Sequence, residues 1–156
     1  MSVKIEVAET AKQFEVGRQL IHAYAEFLGL DLEFQGFSDE LISLPTIYGS
    51  PKGALLLANL DGVYVGGVGL REFEPGIAEM KRMYVLSDYH GRGIGKSLTN
   101  AFLVKAAEMG FSSVRLDSIR ELDKALRLYQ SFGFKEIEPY RFNPHPEAIF
   151  MEYKIS

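Results

Sequence analysis

Three glycines, Gly91, Gly93 and Gly95, stand in the stretch Ser87-Asp-Tyr-His-Gly-Arg-Gly-Ile-Gly-Lys-Ser-Leu98, after an apolar run and ahead of a segment with helical spacing. Residues without a Cβ let the backbone turn through positive φ and approach a ligand closely. A helix beginning here turns unpaired N–H groups and the positive end of its dipole into the loop. A phosphorylated ligand would therefore meet backbone donors from His90 to Ser97, with Arg92 and Lys96 adding charge. Arg92 and Lys96 could also be solvated charges on an exposed helix start, and Ser97 could be an ordinary first-turn residue. Two familiar phosphate loops do not fit. The triphosphate loop Gly-x-x-x-x-Gly-Lys-Ser/Thr needs a glycine where His90 stands, although Gly95-Lys96-Ser97 matches its end. The dinucleotide fingerprint Gly-x-Gly-x-x-Gly places Lys96 at its third glycine.

What remains resembles motif A of the GNAT acyltransferases, Gln/Arg-x-x-Gly-x-Gly/Ala, whose loop binds the pyrophosphate of coenzyme A. His90 occupies the Gln/Arg place, which removes a fixed charge and keeps a ring N–H donor. Two further segments carry the resemblance. Ile77 to Leu86 is similar to the central strand that runs into the loop, and Ala125-Leu-Arg-Leu-Tyr-Gln-Ser-Phe-Gly-Phe134 resembles the signature Ala-x-x-Leu-Tyr-x-x-x-Gly-Phe. Many members have Asn three residues before that Ala; here it is Leu122. The likeness runs from Val3 to Ile155. It implies an α/β (α+β) fold with a mixed, mostly antiparallel central sheet flanked by helices. It also implies acetyl-CoA as cosubstrate, direct transfer of an acetyl group to the primary amine of a small molecule, and the option of a homodimer. A coenzyme A-binding sensor without turnover is the alternative.

An attacking amine must be neutral, and an unperturbed primary amine has a pKa of about 10.4, so a base is required. The resemblance offers Glu79 for that role, directly or through water; the other reading is a charge paired with Lys81 or Arg82. Strand alternation would set Lys81 and Met83 on the same side as Glu79. Glu72 is a second candidate base. Tyr129 matches the phenol that protonates the departing thiolate, but Leu122, Ala125, Leu126, Tyr129 and Phe132 also form one apolar helical stripe, which would make it core. By the same resemblance, backbone N–H groups near Met83, Tyr84 and Val85 stabilise the oxyanion and pair with pantetheine.

These residues need a scaffold. Its 156 residues and 47% hydrophobic content suit one domain, residues 1–156. Absent cysteine excludes a disulfide framework and a thiolate nucleophile, and suits a reducing, cytoplasmic setting. His22 and His145 lack partners at metal-ligand spacing, so no metal is expected. No apolar stretch reaches membrane-spanning length, since Asn59 and Asp61 break the run from Gly53 to Leu70. With 17 basic and 21 acidic side chains the net charge is −4, which disfavours nucleic acid and favours a small cationic substrate. The acidic set Asp31, Glu33, Asp39 and Glu40 could attract an ammonium group or be a solvated loop. Tyr140-Arg141-Phe142-Asn143-Pro144 could form a substrate-facing loop.

The patterning predicts a strand over Val3–Ala8, then a helix from the Thr10/Gln13 capping box to Gly29. A short helix over Ser38–Ser43 should end at Pro45. Strands follow over Gly53–Leu60 and Val63–Phe73, joined at Asp61-Gly62. Glu74-Pro75-Gly76 turns the chain into the Ile77 strand. A long helix runs from the glycine loop to Gly110; then come a strand Ser113–Ile119, a helix Glu121–Phe132, and strands near Lys135–Glu138 and Ala148–Ile155.

Overall fold

The computed structural model describes residues 3–29 and 37–155. Strand β1 (Val3–Val7) leads into α1 (Ala11–Leu28), which starts where expected because Thr10 Oγ1 accepts from the Gln13 N–H and Gln13 Oε1 accepts from the Thr10 N–H. It stops at Gly29, whose φ of 66° ends the helical path. Helix α2 (Phe37–Ile42) is followed at once by α3 (Leu44–Ile47). Pro45 therefore does not end the helical region. It sits in the first turn of α3, where the missing N–H has no helical partner to lose.

Strands β2 (Gly53–Leu60) and β3 (Val63–Glu74) form the expected hairpin, with Asp61 at φ 52° and Gly62 at φ 93° as a two-residue primed turn requires. Next come β4 (Ile77–Val85), a single 3₁₀ turn (Ser87–Tyr89), α4 (Ile94–Glu108), β5 (Ser113–Ile119), α5 (Asp123–Phe132), β6 (Lys135–Ile137) and β7 (Ala148–Lys154). The strands make one seven-stranded sheet in the order β1-β2-β3-β4-β5-β7-β6, antiparallel everywhere except between β4 and β5. Helices α4 and α5 cover one face, packing Leu98, Phe102, Leu126 and Tyr129 on Val68, Leu70, Ala78, Met80 and Met151. On the other face α1 and α3 pack Leu20, Ile21, Leu44 and Tyr48 against Leu55 and Leu57. Among the described residues no helix is long and apolar enough to cross a membrane.

One irregularity decides which side chains reach the site. Gly69 pairs with Lys81 and Gly67 with Tyr84, so β4 spends three residues where β3 spends two. The extra residue is a bulge, and Arg82 within it has φ 60°. Before the bulge, Ala78 and Met80 enter the core beneath α4 while Glu79 and Lys81 face the opposite side. After it the alternation is inverted: Arg82 joins Lys81, and Met83 packs with the α4 core. The uninterrupted alternation expected from the sequence, with Met83 beside Glu79, is thus corrected by a single residue.

Candidate active site

The parallel strands β4 and β5 stay paired only from Ile77/Ser113 to Glu79/Arg115. Beyond that, Met80–Val85 is bonded to β3 alone and Leu116–Ile119 to β7 alone, so the sheet opens between them. A gap at the carboxyl ends of parallel strands is where an α/β sheet most readily admits a ligand. The edge of β4 turned toward β5 carries the expected backbone of Met83, Tyr84 and Val85. Tyr84 also packs its ring, tilted, against Tyr24 and Phe27 of α1, both at 5.7 Å between centroids.

The glycine loop lies at the end of the same strand. Gly91 and Gly93 have φ 80° and 77°, and a Cβ on either would meet nothing within 4 Å. Their side of the loop is open, and glycine is needed for the turn alone. Gly93 caps α4 without any side-chain acceptor, and the first intrahelical bond is Ser97 N–H to Gly93 C=O, at 3.0 Å. The N–H groups of Ile94, Gly95 and Lys96 are thus left for an anion. Lys96 is exposed, Ser97 half-buried, and Arg92 lies over the Tyr89 ring at 5.3 Å. His90 is differently engaged. Its Nε2 stands 2.7 Å from the Val85 carbonyl oxygen, which can only accept, so the ring donor expected to face the ligand braces the loop against β4.

Behind the opening lies a buried ionic network. Glu79 is fully buried and accepts from Arg71 Nε at 2.9 Å, from the Tyr140 hydroxyl at 2.8 Å, and from Arg141 Nη2 at 2.6 and 2.5 Å. Lys81 also lies within electrostatic reach of Glu79, while Arg82 hydrogen-bonds Glu40. Tyr140, Arg141 and Asn143 belong to a strap between β6 and β7, which Asn143 also ties to Asp117 of β5 at 3.0 Å. These contacts join residues some sixty positions apart, and only the aromatic and basic character of the strap hinted at them. Glu72 instead pairs with Lys52 at 3.6 Å on the surface side.

Arg82 donates from Nε and Nη2 to Glu40, at 3.0 and 2.7 Å, while the Tyr48 hydroxyl donates to the same carboxylate at 2.9 Å. Burial alone would raise the Glu40 pKa, but the Arg82 hydrogen bonds and charge outweigh it and hold the carboxyl below its ordinary value. Glu40 is therefore not a free acidic group awaiting an ammonium. Of the other acidic candidates, Asp39 is exposed on α2, and Asp31 and Glu33 lie outside the described residues. Lys81 is only 5% exposed. Burial, helped by the Arg82 charge, pushes its amine down to about 7.

Tyr129 sits 6% exposed at the edge of the α5 core, tilted against Phe134 at 5.7 Å, and burial raises its phenol well above the ordinary value. Burial also pushes the Tyr24 phenol of α1 up to about 12. Leu122, the N-cap of α5, offers no side-chain cap.

A sequence profile of the Acetyltransferase (GNAT) family matches residues 18–134. An uncharacterised N-acetyltransferase of Schizosaccharomyces pombe is 35% identical, the match covering 99% of this chain and 96% of that one. Among solved structures, a GNAT acetyltransferase of Staphylococcus aureus superposes with a TM-score of 0.82 at 21% identity, over 99% of this chain and 100% of the other. The PaiA N-acetyltransferase of Thermoplasma acidophilum, solved in complex with coenzyme A, superposes with a TM-score of 0.73 at 19% identity, over 99% of each chain.

Proposed function

The chain belongs to the GNAT acetyltransferase family and is an acetyl-CoA-dependent N-acetyltransferase; from that premise we propose that it moves the acetyl group directly to a primary amine of a small molecule in a ternary complex. The observation that carries this reading is the opening between β4 and β5 beside the uncapped N-terminus of α4. Acetyl-CoA supplies the thioester. The open faces of Gly91 and Gly93 and the N–H groups of Ile94, Gly95 and Lys96 suit its diphosphate, with Arg92, Lys96 and Ser97 at the rim. His90 holds that loop rather than the phosphates. Backbone groups of Met83, Tyr84 and Val85, lacking a β5 partner, pair with the amide-bearing arm of the ligand and donate to the thioester oxygen.

Tyr129 donates its hydroxyl proton to the departing sulfur; burial keeps that phenol protonated at working pH. Because the chain has no cysteine, it offers no thiol on which the acetyl group could rest, which favours direct transfer. Glu79 is a positioning residue in this reading, since Arg71, Tyr140 and Arg141 already fill its oxygens. The protein would work in the cytoplasm, alone or as a homodimer.

Calorimetric titration with acetyl-CoA, coenzyme A and magnesium ATP, followed by thiol release with a panel of amines, tests the assignment. We expect saturable binding of the two coenzyme A species alone and amine-dependent release. Tyr129→Phe should lose about 100-fold in turnover with acetyl-CoA affinity kept. Binding of ATP alone would overturn the loop assignment, and undiminished turnover of the variant would remove Tyr129 from the chemistry.

A further inference from the structure

The face of β4 and β5 opposite α4 gathers basic and acidic side chains, with Lys81 and Arg82 buried, Arg141 mostly so and Arg71 partly exposed. Among the described residues, Arg71, Lys81, Arg82 and Arg141 converge there on Glu40, Glu79 and Asp117. Arg82 holds Glu40 through two hydrogen bonds, with the Tyr48 hydroxyl as a further donor. Arg71 and Arg141 share the single carboxylate of Glu79. Asp117 accepts from Asn143 and lies within electrostatic reach of Lys81. Arg141, moreover, keeps its Nε buried without any hydrogen-bond acceptor. A buried donor without a partner is costly, and an anion that reaches Arg141 would supply the missing acceptor.

The cluster lies where the acceptor must come. Lys81 is the last residue before the bulge, two positions past the point at which β5 leaves β4. Tyr24 of α1, Glu40 of α2, Tyr48 of α3 and Tyr140 and Arg141 of the strap surround this face. We propose that the acceptor is an amine bearing a carboxylate, as an amino acid does, and that Lys81 and Arg141 receive that carboxylate. This rests on the acetyltransferase reading above and names the class of molecule acetylated.

A pH dependence follows. The charged groups that reach Lys81 are Arg82 and Glu79 on its own strand, Arg141 on the strap, Asp117 on β5 and Glu40 on α2, with Arg71 and Tyr140 bonded to Glu79 and Tyr48 to Glu40 behind them. Burial and Arg82 bring the free amine down to about 7. An arriving carboxylate favours the protonated amine, so binding takes up a proton above that pH. Affinity for the acid should then weaken as pH rises, by up to tenfold per unit.

The test pairs acceptors that differ by their only carboxylate: L-phenylalanine with 2-phenylethylamine, and L-leucine with 3-methylbutylamine. Acetyl-CoA binding is confirmed by calorimetry before each thiol-release assay. In each pair the member with the added carboxylate should have at least tenfold higher kcat/KM, and its KM should rise above pH 7. Lys81→Met should bring the ratio near one, and Lys81→Arg, which keeps a cation, should preserve the ratio and remove the pH dependence. Equal or better turnover of the less acidic members, a ratio that survives Lys81→Met, or no turnover of any pair by acetyl-CoA-loaded protein would overturn the proposal and leave the family reading standing. Failure to bind acetyl-CoA at all would instead sink the reading beneath it. If Lys81→Met does not fold, the wild-type ratios and KM profile decide the matter alone.

Discussion

Glu79 accepts hydrogen bonds from Arg71, Tyr140 and Arg141 while wholly shielded from solvent. A base must offer a free lone pair to an incoming proton, and here the lone pairs are already directed at fixed cations and a phenol. Removing the charge should therefore act on structure more than on proton transfer. Glu79→Gln leaves two guanidinium groups without their anion and should cost about 3 kcal/mol of stability by urea denaturation. It should raise the acceptor KM and leave the acidic limb of the kcat/KM profile in place. Disappearance of that limb would restore Glu79 as the base. At this scale the sequence disclosed residue types better than partners. The glycines at 91 and 93 and the phenol at 129 could be picked out because local motifs demand them. That His90 turns inward to Val85, or that Arg141 closes on Glu79, follows from loop paths that no local pattern encodes.

At the level of elements, β4 does two jobs that ordinary pleating would set against each other. Its first half buries Ala78 and Met80 under α4, and its second half turns a backbone edge toward the opening between β4 and β5. The bulge at Arg82 reconciles them, and the bidentate Glu40 contact anchors the displaced side chain. Nothing in Met80-Lys81-Arg82-Met83 distinguishes a bulge from a regular strand, so this feature was not legible. The strands, the long helices and their caps were, because Thr10/Gln13, Asp61-Gly62 and Gly110 carry backbone requirements that belong to their residue types. The glycine loop shows the same principle in function. Gly93 adopts φ 77° with no atom near its missing Cβ, so a side chain there is opposed by backbone strain and, on the proposed reading, by the bound diphosphate, not by protein packing. Gly93→Val should cost about 1–2 kcal/mol in backbone conformation and raise the acetyl-CoA dissociation constant at least tenfold by calorimetry. Retained affinity would show that the diphosphate does not approach this residue.

Across the whole molecule, charge is distributed unlike its total. A net −4 suggested a cationic substrate, yet behind the β4/β5 opening Glu40 and Glu79 are already consumed by arginines, while Asp39, Glu26 and Glu108 point outward. Net charge governs long-range behaviour; a site is governed by the groups it buries. Holding Lys81 in that position opposes folding. Its folded pKa of about 7 lies below the unfolded value of 10.5. Between those limits the unfolded chain binds a proton that the folded chain refuses, so stability falls as pH drops from 10.5 to 7 and then levels. Lys81→Met removes the titration and fills similar volume with an apolar chain. The variant should be more stable than the parent by on the order of 2–4 kcal/mol at pH 7. Its advantage should shrink steadily as the pH is raised toward 10 in parallel denaturant titrations. A variant less stable at pH 7, or an advantage that does not change with pH, would mean that the lysine is held as a well-compensated structural charge. A pH-dependent gain coupled to loss of acid selectivity would instead identify a residue kept for binding at the expense of the fold.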